Sequence, residues 1–261
     1  MTTEWLTRDV ARLGRPIHRI GIACNFGLDG SAFEAALDAG INYVYWTPKM
    51  RAITPTLKAA LKRDRERIIL ATGPTFSFFG NSLRKGTDRI RKMLDIDQID
   101  ILQQFWLGKM SAETPATTDA LHELKASGKV AMIGTSIHDR PRAGKLAATK
   151  AFDMLMVRYN AAHPGAETEI FPHVEPNHTM VTSYTATRWR KLLKRPRGWT
   201  GAVPTAADCY RFALSRAEVD VTLMGVDSAA QLAENLEGLK RGPMDPDELK
   251  WMREFGRVVH G

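Results

Sequence analysis

Two side chains suited to proton transfer and charge stabilisation lie near the ends of apolar segments. His138 lies in the segment SIHDR, and histidine titrates near neutral pH without any perturbation. Arg158 follows Met156 by two residues in LMVRYN, so both side chains share one face if the segment is a strand. His138 is therefore predicted to be an acid or base, and Arg158 to supply a positive charge. The alternatives are a histidine that caps the next helix and an arginine paired with a carboxylate.

Aromatic residues end several of the same apolar segments, where they could wall a pocket for a small organic molecule. The predicted wall consists of Tyr45, Trp46, Phe105, Trp106 and Tyr184. Arg188 is predicted to attract an anionic group of the ligand. Lys49 and Tyr45 join His138 and Arg158 as catalytic candidates, the alternative for Lys49 being exposure to solvent.

A segment rich in histidine and glutamate, HPGAETEIFPHVEPNH, could suggest a metal site. Its candidate ligands are His163, Glu167, Glu169, His173, Glu175 and His178. Helical spacing would bring His163 and Glu167 together, but prolines interrupt the helix and no HExxH motif is present. No metal is predicted, and His163 with Glu167 is expected to cap or staple a helix.

Length and composition favour one soluble domain over residues 1–261. The chain has 261 residues, of which 44% are hydrophobic and 25% charged, and an α/β barrel routinely uses ~200 to 250 residues as a single unit. Cys24 and Cys209 have no disulfide or zinc spacing and are expected to be buried. Without a secretion signal or a long apolar run, a cytoplasmic protein that makes no membrane contact is predicted.

The net charge of +8 is concentrated in RWRKLLKRPRGW (residues 188–199) and on helix faces. No nucleic-acid-binding motif accompanies these charges, so a solvated surface is expected and no nucleic-acid partner is predicted. The expected partner is a small molecule. The sequence sets no expectation for the oligomeric state.

Short apolar runs alternate with amphipathic segments, which is typical of βα units and a parallel sheet. The predicted strands are RIGIAC, YVYW, RIILAT, DILQQF, VAMIGTS, MLMVRYN, MVTSYT and VTLMGV. Ser31 and Glu34 are predicted to form a capping box at the start of the first barrel helix, and Gly40 to end that helix as a left-handed cap. Asp245 is predicted to open the last helix. Eight repeats predict an α/β fold, the (β/α)8 or TIM barrel, whose functional groups lie at the carboxyl ends of the strands.

The order of segments resembles the aldo-keto reductase superfamily along nearly the whole chain. The stretches that carry the resemblance are AGINYVYWT, IDQIDILQQFW, LHELKASGKVAMIGTS, MVRYN, VTSYTA and LMGVDSAAQLAENLEGL. The resemblance implies a (β/α)8 barrel that transfers hydride from NADPH to a carbonyl with an Asp, Tyr, Lys and His tetrad. The segments SIHDR, RYNAAHPGAE and TATRW resemble a divergent branch that carries aromatics in place of the tetrad Asp.

None of the four tetrad positions implied by the resemblance holds the expected residue. Tyr45 stands for the Asp, Met50 for the Tyr, Gly73 for the Lys and Phe105 for the His. Carbonyl reduction needs a proton donor near the developing alkoxide, and such a donor contributes about 10² to 10⁴ in rate. We therefore expect carbonyl reduction to be slow unless another group substitutes.

The cofactor positions implied by the resemblance are only partly kept. Of the three positions that would bind the nicotinamide carboxamide, Ser136 keeps the expected serine, whereas Ile137 and Met156 replace an Asn and a Gln. Tyr184 matches the tyrosine that would stack on the nicotinamide ring. The other positions implied for the dinucleotide are Ser228, Gln231, Glu234 and Asn235. NADP binding is accordingly left open.

Three functions remain open from the sequence. The first is a repurposed small-molecule enzyme that is not a tetrad-dependent carbonyl reductase and catalyses a non-redox reaction such as hydrolysis, isomerisation or elimination. The second is an NAD(P)H-dependent oxidoreductase with substitute acid groups. The third is a ligand-binding protein without catalysis. The sequence does not identify the substrate.

Overall fold

A computed structural model describes residues 3–174 and 179–260 of the chain. The strands are β1 (Thr7–Val10), β2 (Arg15–His18), β3 (Ile20–Ala23), β4 (Tyr43–Tyr45), β5 (Ile69–Thr72), β6 (Ile99–Gln104), β7 (Val130–Ile137), β8 (Met154–Arg158), β9 (Met180–Tyr184) and β10 (Val221–Met224). The α-helices are α1 (Gly30–Asp38), α2 (Thr54–Asp64), α3 (Gly80–Leu94), α4 (Pro115–Ala126), α5 (Arg140–Ala148), α6 (Ala166–Glu169), α7 (Ala206–Leu214), α8 (Ala229–Leu239) and α9 (Pro246–His260). Short 3-10 turns cover Thr3–Leu6, Ala11–Leu13, Phe171–His173 and Lys191–Leu193.

Strands β3 to β10 form a closed parallel barrel in sequence order, and β10 pairs with β3 to close it. Each of the eight predicted apolar runs forms one of these strands, and helices follow them on the outside. The predicted (β/α)8 barrel is confirmed. Because all eight strands run the same way, their carboxyl ends meet at one end of the barrel, which is called the mouth below.

Two apolar layers follow from the alternation of side chains along each strand. Tyr43 points into the barrel, where it packs with inward side chains of the other strands such as Met154. Val44, the next residue, points outward and joins the larger layer between the barrel and the helices. Within the described residues, no helix has the length and apolar character needed to cross a bilayer.

An antiparallel hairpin of β1 and β2, which the sequence analysis did not predict, lies against the amino ends of the barrel strands. Ile17 of β2 is fully buried in the interior layer. Arginines of the hairpin region pair with aspartates at the starts of barrel strands: Arg8 with Asp220, Arg12 with Asp153, and Arg15 with Asp100. The hairpin therefore closes the end of the barrel opposite the mouth.

The helix boundaries confirm two of the three predicted caps. Gly40 has φ 89° after α1, and Asp245 accepts a hydrogen bond from a first-turn N–H of α9 at 2.8 Å. The predicted capping box of Ser31 with Glu34 is wrong. Asp29 caps α1 instead, accepting from a backbone N–H and from the Ser31 hydroxyl, both at 2.7 Å. Asp29 precedes Ser31 by two residues, so the helix has begun before Ser31 could cap it.

Candidate functional site

Three polar side chains meet at the carboxyl ends of the adjacent strands β7, β8 and β9. Arg158 Nη2 lies 3.1 Å from His138 Nδ1, and the Tyr184 hydroxyl lies 3.0 Å from His138 Nε2 and 3.2 Å from Nδ1. Arg158 is the last residue of β8 and Tyr184 the last of β9, whereas His138 directly follows β7. These residues are called the mouth cluster below.

The charges in the mouth cluster favour a neutral imidazole. Partial burial lowers the pKa of His138, and the positive charge of Arg158 lowers that pKa further. A guanidinium can only donate, so Nδ1 is the acceptor and the ring proton of the neutral form lies on Nε2. Burial raises the pKa of Tyr184 to about 12, so this residue stays a phenol at neutral pH. The cluster thus combines a neutral nitrogen base, a fixed cation and a hydroxyl donor.

Aromatic side chains extend the mouth cluster on both sides. Tyr45 and Phe105 meet edge to face with ring centroids 5.8 Å apart, and Trp106 lies 5.0 Å from the His138 ring. Tyr45 is half-buried, and burial raises the pKa of its hydroxyl. An aromatic ligand could therefore stack beside the imidazole.

Three sequence-predicted residues make no hydrogen bond or ring contact with the mouth cluster in the described ranges of the chain. Trp46 is fully buried in the outer layer, where its indole N–H lies 3.2 Å from Thr54 Oγ1. It follows Tyr45 directly, and adjacent strand residues face opposite sides, so the two cannot share one wall. Lys49 is exposed and has no polar partner within the described part of the chain. Arg188 donates to the backbone carbonyl of Val259 in the last turn of α9.

Aromatic residues in loops at the mouth were missed by the sequence analysis. The Trp189 ring lies 5.4 Å from the guanidinium carbon of Arg158, in a cation-π contact. Other aromatics in the loops after β3 and β5 are exposed to solvent, namely Phe26, Phe76, Phe78 and Phe79. The run FSFF in the loop after β5 was the available signal, because apolar loop residues beside a site form its rim.

Most side chains at the implied cofactor positions are engaged within the protein. Ser136 Oγ accepts the backbone N–H of Trp106 at 2.7 Å, and Met156 is buried in the barrel interior. Asn235 is buried, and its amide contacts the sulfur of Met224 at 3.7 Å.

The remaining cofactor positions lie around the start of α8. Ser228 caps the helix by accepting the N–H of Gln231 at 3.4 Å. Glu234 is exposed. The one charged residue in the segment GVDSAAQ (residues 225–231) is Asp227, an anion that would repel a phosphate.

The candidate metal ligands do not converge. Among the described residues, no three His, Cys, Asp or Glu side chains are placed to hold one ion. Glu167 accepts from the Tyr159 hydroxyl at 2.7 Å and pairs with Arg253 at 3.0 Å, whereas His163 Nδ1 lies 3.2 Å from Asn160 Oδ1. The expected staple between His163 and Glu167 is therefore replaced by separate partners.

Four further residues considered in the sequence analysis are not part of the candidate site: two lie outside the described residues and two are buried cysteines. Glu175 and His178, candidate ligands in the same segment, lie outside the described residues. Cys24 and Cys209 are buried, as expected. Burial raises the pKa of the Cys24 thiol to about 12, so it is not a ready nucleophile.

Comparisons with known proteins agree with the barrel. A sequence profile described as the aldo/keto reductase family matches residues 31–197. Aldo-keto reductase AKR11C1 from Bacillus halodurans, in its holo form, superposes with a TM-score of 0.79 at 19% identity over 95% of both chains. Glycerol dehydrogenase AKR11B4 from Gluconobacter oxydans gives a TM-score of 0.79 at 17% identity over 98% of this chain and 97% of that one. No curated protein sequence matches.

Proposed function

The chain belongs to the aldo/keto reductase family, and from this premise we propose that it is a small-molecule enzyme that moves a proton rather than a hydride. Its substrate is an aromatic or apolar molecule that carries an anionic group. The observation that carries the proposal is the contact of His138 with Arg158 and Tyr184 at the mouth.

The residues at the implied tetrad positions support a chemistry without the tetrad. Met50 has no proton to donate, and its sulfur accepts the N–H of Thr47 at 3.3 Å. A side chain at Gly73 is excluded, because a Cβ atom there would lie 2.0 Å from the backbone oxygen of Gln103. Tyr45 and Phe105 form an aromatic contact instead of a carboxylate and imidazole pair.

The roles in the mouth cluster follow from its hydrogen bonds. An anionic substrate group competes with His138 for Arg158 and thereby frees the Nδ1 lone pair. Nδ1 then takes a proton from a carbon next to the substrate carbonyl or carboxylate: the C–H bond breaks, an N–H bond forms, and the electron pair moves to the substrate oxygen. Arg158 and the Tyr184 hydroxyl stabilise the resulting negative charge.

Hydrogen exchange tests the proposal whatever the final product of the reaction is. The protein is incubated in D2O with a panel of aromatic carboxylates, each of which has a hydrogen on the carbon next to a carbonyl or carboxylate group. Deuterium incorporation at that carbon is followed by proton NMR. We expect exchange on some members and a loss of at least about 100-fold in His138→Ala. His122→Ala, which replaces an exposed histidine on α4, is the matched control.

Two results would contradict the proposal. One is exchange that is equally fast in His138→Ala and wild type, and the other is turnover that depends on added nicotinamide cofactor. By contrast, turnover that is present in wild type and lost in the folded His138→Ala variant would support the proposal and exclude a purely ligand-binding role.

A second candidate is an NAD(P)H-dependent oxidoreductase, which the family membership and the half-buried Tyr184 favour. The donor set does not fit the cofactor. Ser136 Oγ is already engaged, and Ile137 and Met156 cannot bind a carboxamide. Asp227 places a negative charge beside the start of α8, which opposes the attraction of that helix end for a cofactor phosphate.

Thermal unfolding with NADPH or NADH separates the two candidates. A ligand that binds only the native state stabilises it by about 2.7 kcal/mol at 100 times its dissociation constant. We expect no shift with either nucleotide. A clear upward shift in Tm would favour the oxidoreductase.

A further inference from the structure

A cleft of about 920 Å³ lies beside the mouth, between α9 and the segment that links β8 to α6. One wall is formed by Ala161, Ala162, His163, Pro164 and Gly165, and Arg140 at the start of α5 adds to it. The other wall is the face of α9 from Pro246 to His260. The volume suits a drug-sized organic ligand.

The charges around the cleft are mostly positive. The described cationic residues that line it are Arg140, Lys250, Arg253 and Arg257, and His163 and His260 also line it. One acidic residue, Glu254, belongs to the lining. Such an excess of one sign in a concave site concentrates anions there.

Two of these cations have no carboxylate partner in the described part of the chain. Arg140 pairs with Glu169 at 2.7 Å, and Arg253 pairs with Glu167 at 3.0 Å. Lys250 and Arg257 are exposed and take part in no ion pair within residues 3–174 and 179–260. They lie seven residues apart on α9, so they share one face of the helix, two turns apart. Their ammonium and guanidinium groups are available to a ligand.

The floor of the cleft is apolar and closely packed. Gly256 of α9 lies against Ala161 so closely that a Cβ atom would be 2.1 Å from the Ala161 carbonyl oxygen. Leu249 adds an apolar side chain. Above the floor, the Arg140 guanidinium lies on Gly165, where a Cβ atom would be 2.6 Å from its central carbon. A ligand that fits both features has an apolar body and an anionic end.

Two imidazoles lie in the wall, and the pKa of one of them, His163, responds to the positive charges around it. The rings of His163 and His260 lie 5.2 Å apart, edge to face. Burial lowers the pKa of His163 to about 4, and the charges of Arg158, Arg188, His260 and Arg140 contribute in that order. An anion bound in the cleft would offset these charges and raise the pKa of His163, which provides a direct reporter of binding.

We propose that this cleft is a second binding site, separate from the mouth cluster, for a phosphate monoester with an apolar or aromatic body. A phosphate monoester carries close to two negative charges at neutral pH, which matches two unpaired cations better than a carboxylate does. The proposal does not rest on the proposed function.

Titration calorimetry and NMR with phenyl phosphate test the site in the full-length protein. We expect phenyl phosphate to bind more tightly than benzoate or inorganic phosphate, and benzyl alcohol not to bind. The imidazole resonances of His163 and His260 should shift, and the pKa of His163 should rise. Binding should weaken as ionic strength increases.

A double variant with a matched control locates the site. Lys250→Gln with Arg257→Gln should weaken phenyl phosphate binding about 5- to 10-fold, as expected for two exposed charge contacts. Lys85→Gln with Arg89→Gln removes the same charges from exposed positions on α3 and should change the affinity less than about 2-fold. Circular dichroism confirms that both variants fold.

Three outcomes would overturn the proposal. These are no binding of phenyl phosphate, equal weakening in the two double variants, and shifts confined to the His138 resonances. The last outcome would place the anion at the mouth cluster, which would leave the proposed function intact. Conversely, a panel that shows no deuterium exchange would contradict the proposed function, whereas the second site would still be supported if phenyl phosphate shifted the His163 resonances.

Discussion

At the residue scale, the protonation state of His138 depends on one neighbour. Arg158 donates to the ring nitrogen from 3.1 Å, and its charge opposes a second positive charge on the imidazole. The same guanidinium contacts Trp189, which holds it over the mouth. The base and the cation of the proposed reaction are therefore one coupled unit.

Replacement of Arg158 should raise the pKa of His138. In Arg158→Gln the cation is gone, so protonation of the imidazole is opposed only by its partial burial, and the pKa should move up toward 6.5. Proton NMR of the His138 ring across pH measures the change, and Arg63→Gln, an exposed arginine on α2, should leave it unaltered. An unchanged titration in Arg158→Gln would contradict the coupling. For a substrate that exchanges, the acidic limb of the rate profile should move to higher pH with the pKa.

His163 should make the protein less stable in mild acid. Its pKa is about 4 in the folded protein and near 6.5 as the ordinary value. Between these values the unfolded chain binds a proton that the folded protein does not, so the free energy of unfolding falls as pH decreases from 6.5 toward 4. Urea unfolding at pH 7 and pH 5 should show a smaller difference in His163→Gln than in wild type. His122→Gln should keep the wild-type difference.

Side chains along a strand point alternately to its two faces, and this alternation explains which site residues could be predicted from the sequence. Arg158 and Met156 are expected on one face from a spacing of two residues, and the structure agrees. The same rule, applied to Tyr45 and Trp46, would have removed Trp46 from the wall. The contact of Arg158 with Trp189 was not predictable, because it depends on the path of a loop 31 positions further along the chain.

At the element scale, α9 is attached to the barrel through a close backbone approach. Gly256 faces the carbonyl of Ala161, and Arg188 donates to the carbonyl of Val259 near the end of the helix. A positive group at a helix carboxyl end is favourable, because the last carbonyls are unpaired and the helix dipole is negative there. The second half of the helix is thus held by packing at Gly256 and by a charged donor at its carboxyl end.

Gly256→Ala should destabilise the protein by about 1 to 3 kcal/mol. Its Cβ atom would lie 2.1 Å from the oxygen of Ala161, so α9 must move outward. Denaturant unfolding measures the loss, and the nearby surface change Lys250→Ala should cost less than about 0.5 kcal/mol. Equal stability of Gly256→Ala and wild type would show that α9 is free to shift.

The elements that could be predicted from the sequence are those with a clear apolar pattern, either a continuous run or a helical repeat. All eight barrel strands are buried on both faces and read as apolar runs. Strand β1 alternates exposed and half-buried residues, and β2 has one buried residue, Ile17, so no apolar run reveals either strand. The hairpin also contacts the barrel through ion pairs with aspartates up to 212 positions away, which no local pattern encodes.

At the scale of the whole molecule, one end of the barrel carries stabilising ion pairs and the other carries the proposed site. The hairpin and its ion pairs close the amino end, whereas the mouth cluster lies at the carboxyl end. Asp100 is central to the closed end. It pairs with Arg15 and with Arg65, and it accepts the backbone N–H of Leu70 at 2.9 Å. Substitutions at that end should change stability and leave the mouth unaltered.

Asp100→Asn should lower the free energy of unfolding by about 2 to 4 kcal/mol, because two arginines lose a nearly buried carboxylate. Asp95→Asn removes a largely exposed carboxylate that pairs with Lys58 at 3.5 Å, and should cost less than about 0.5 kcal/mol. Urea denaturation compares the two. The NMR titration of His138 should be the same in both variants, and a changed titration in Asp100→Asn would contradict this separation of the two ends.

The loop after β9 has a consequence for engineering. Arg188, Trp189 and Arg190 are consecutive residues with φ of 49°, 50° and 67°, a left-handed conformation that costs about 1 kcal/mol or more for each residue that is not glycine. Trp189→Gly would relieve strain but remove the ring that covers Arg158, whereas Arg188→Gly would also lose the hydrogen bond that holds α9. Selection for heat resistance would therefore favour glycine at position 189, and selection for a preorganised mouth would keep the tryptophan. Stability and the proposed function compete at that one residue.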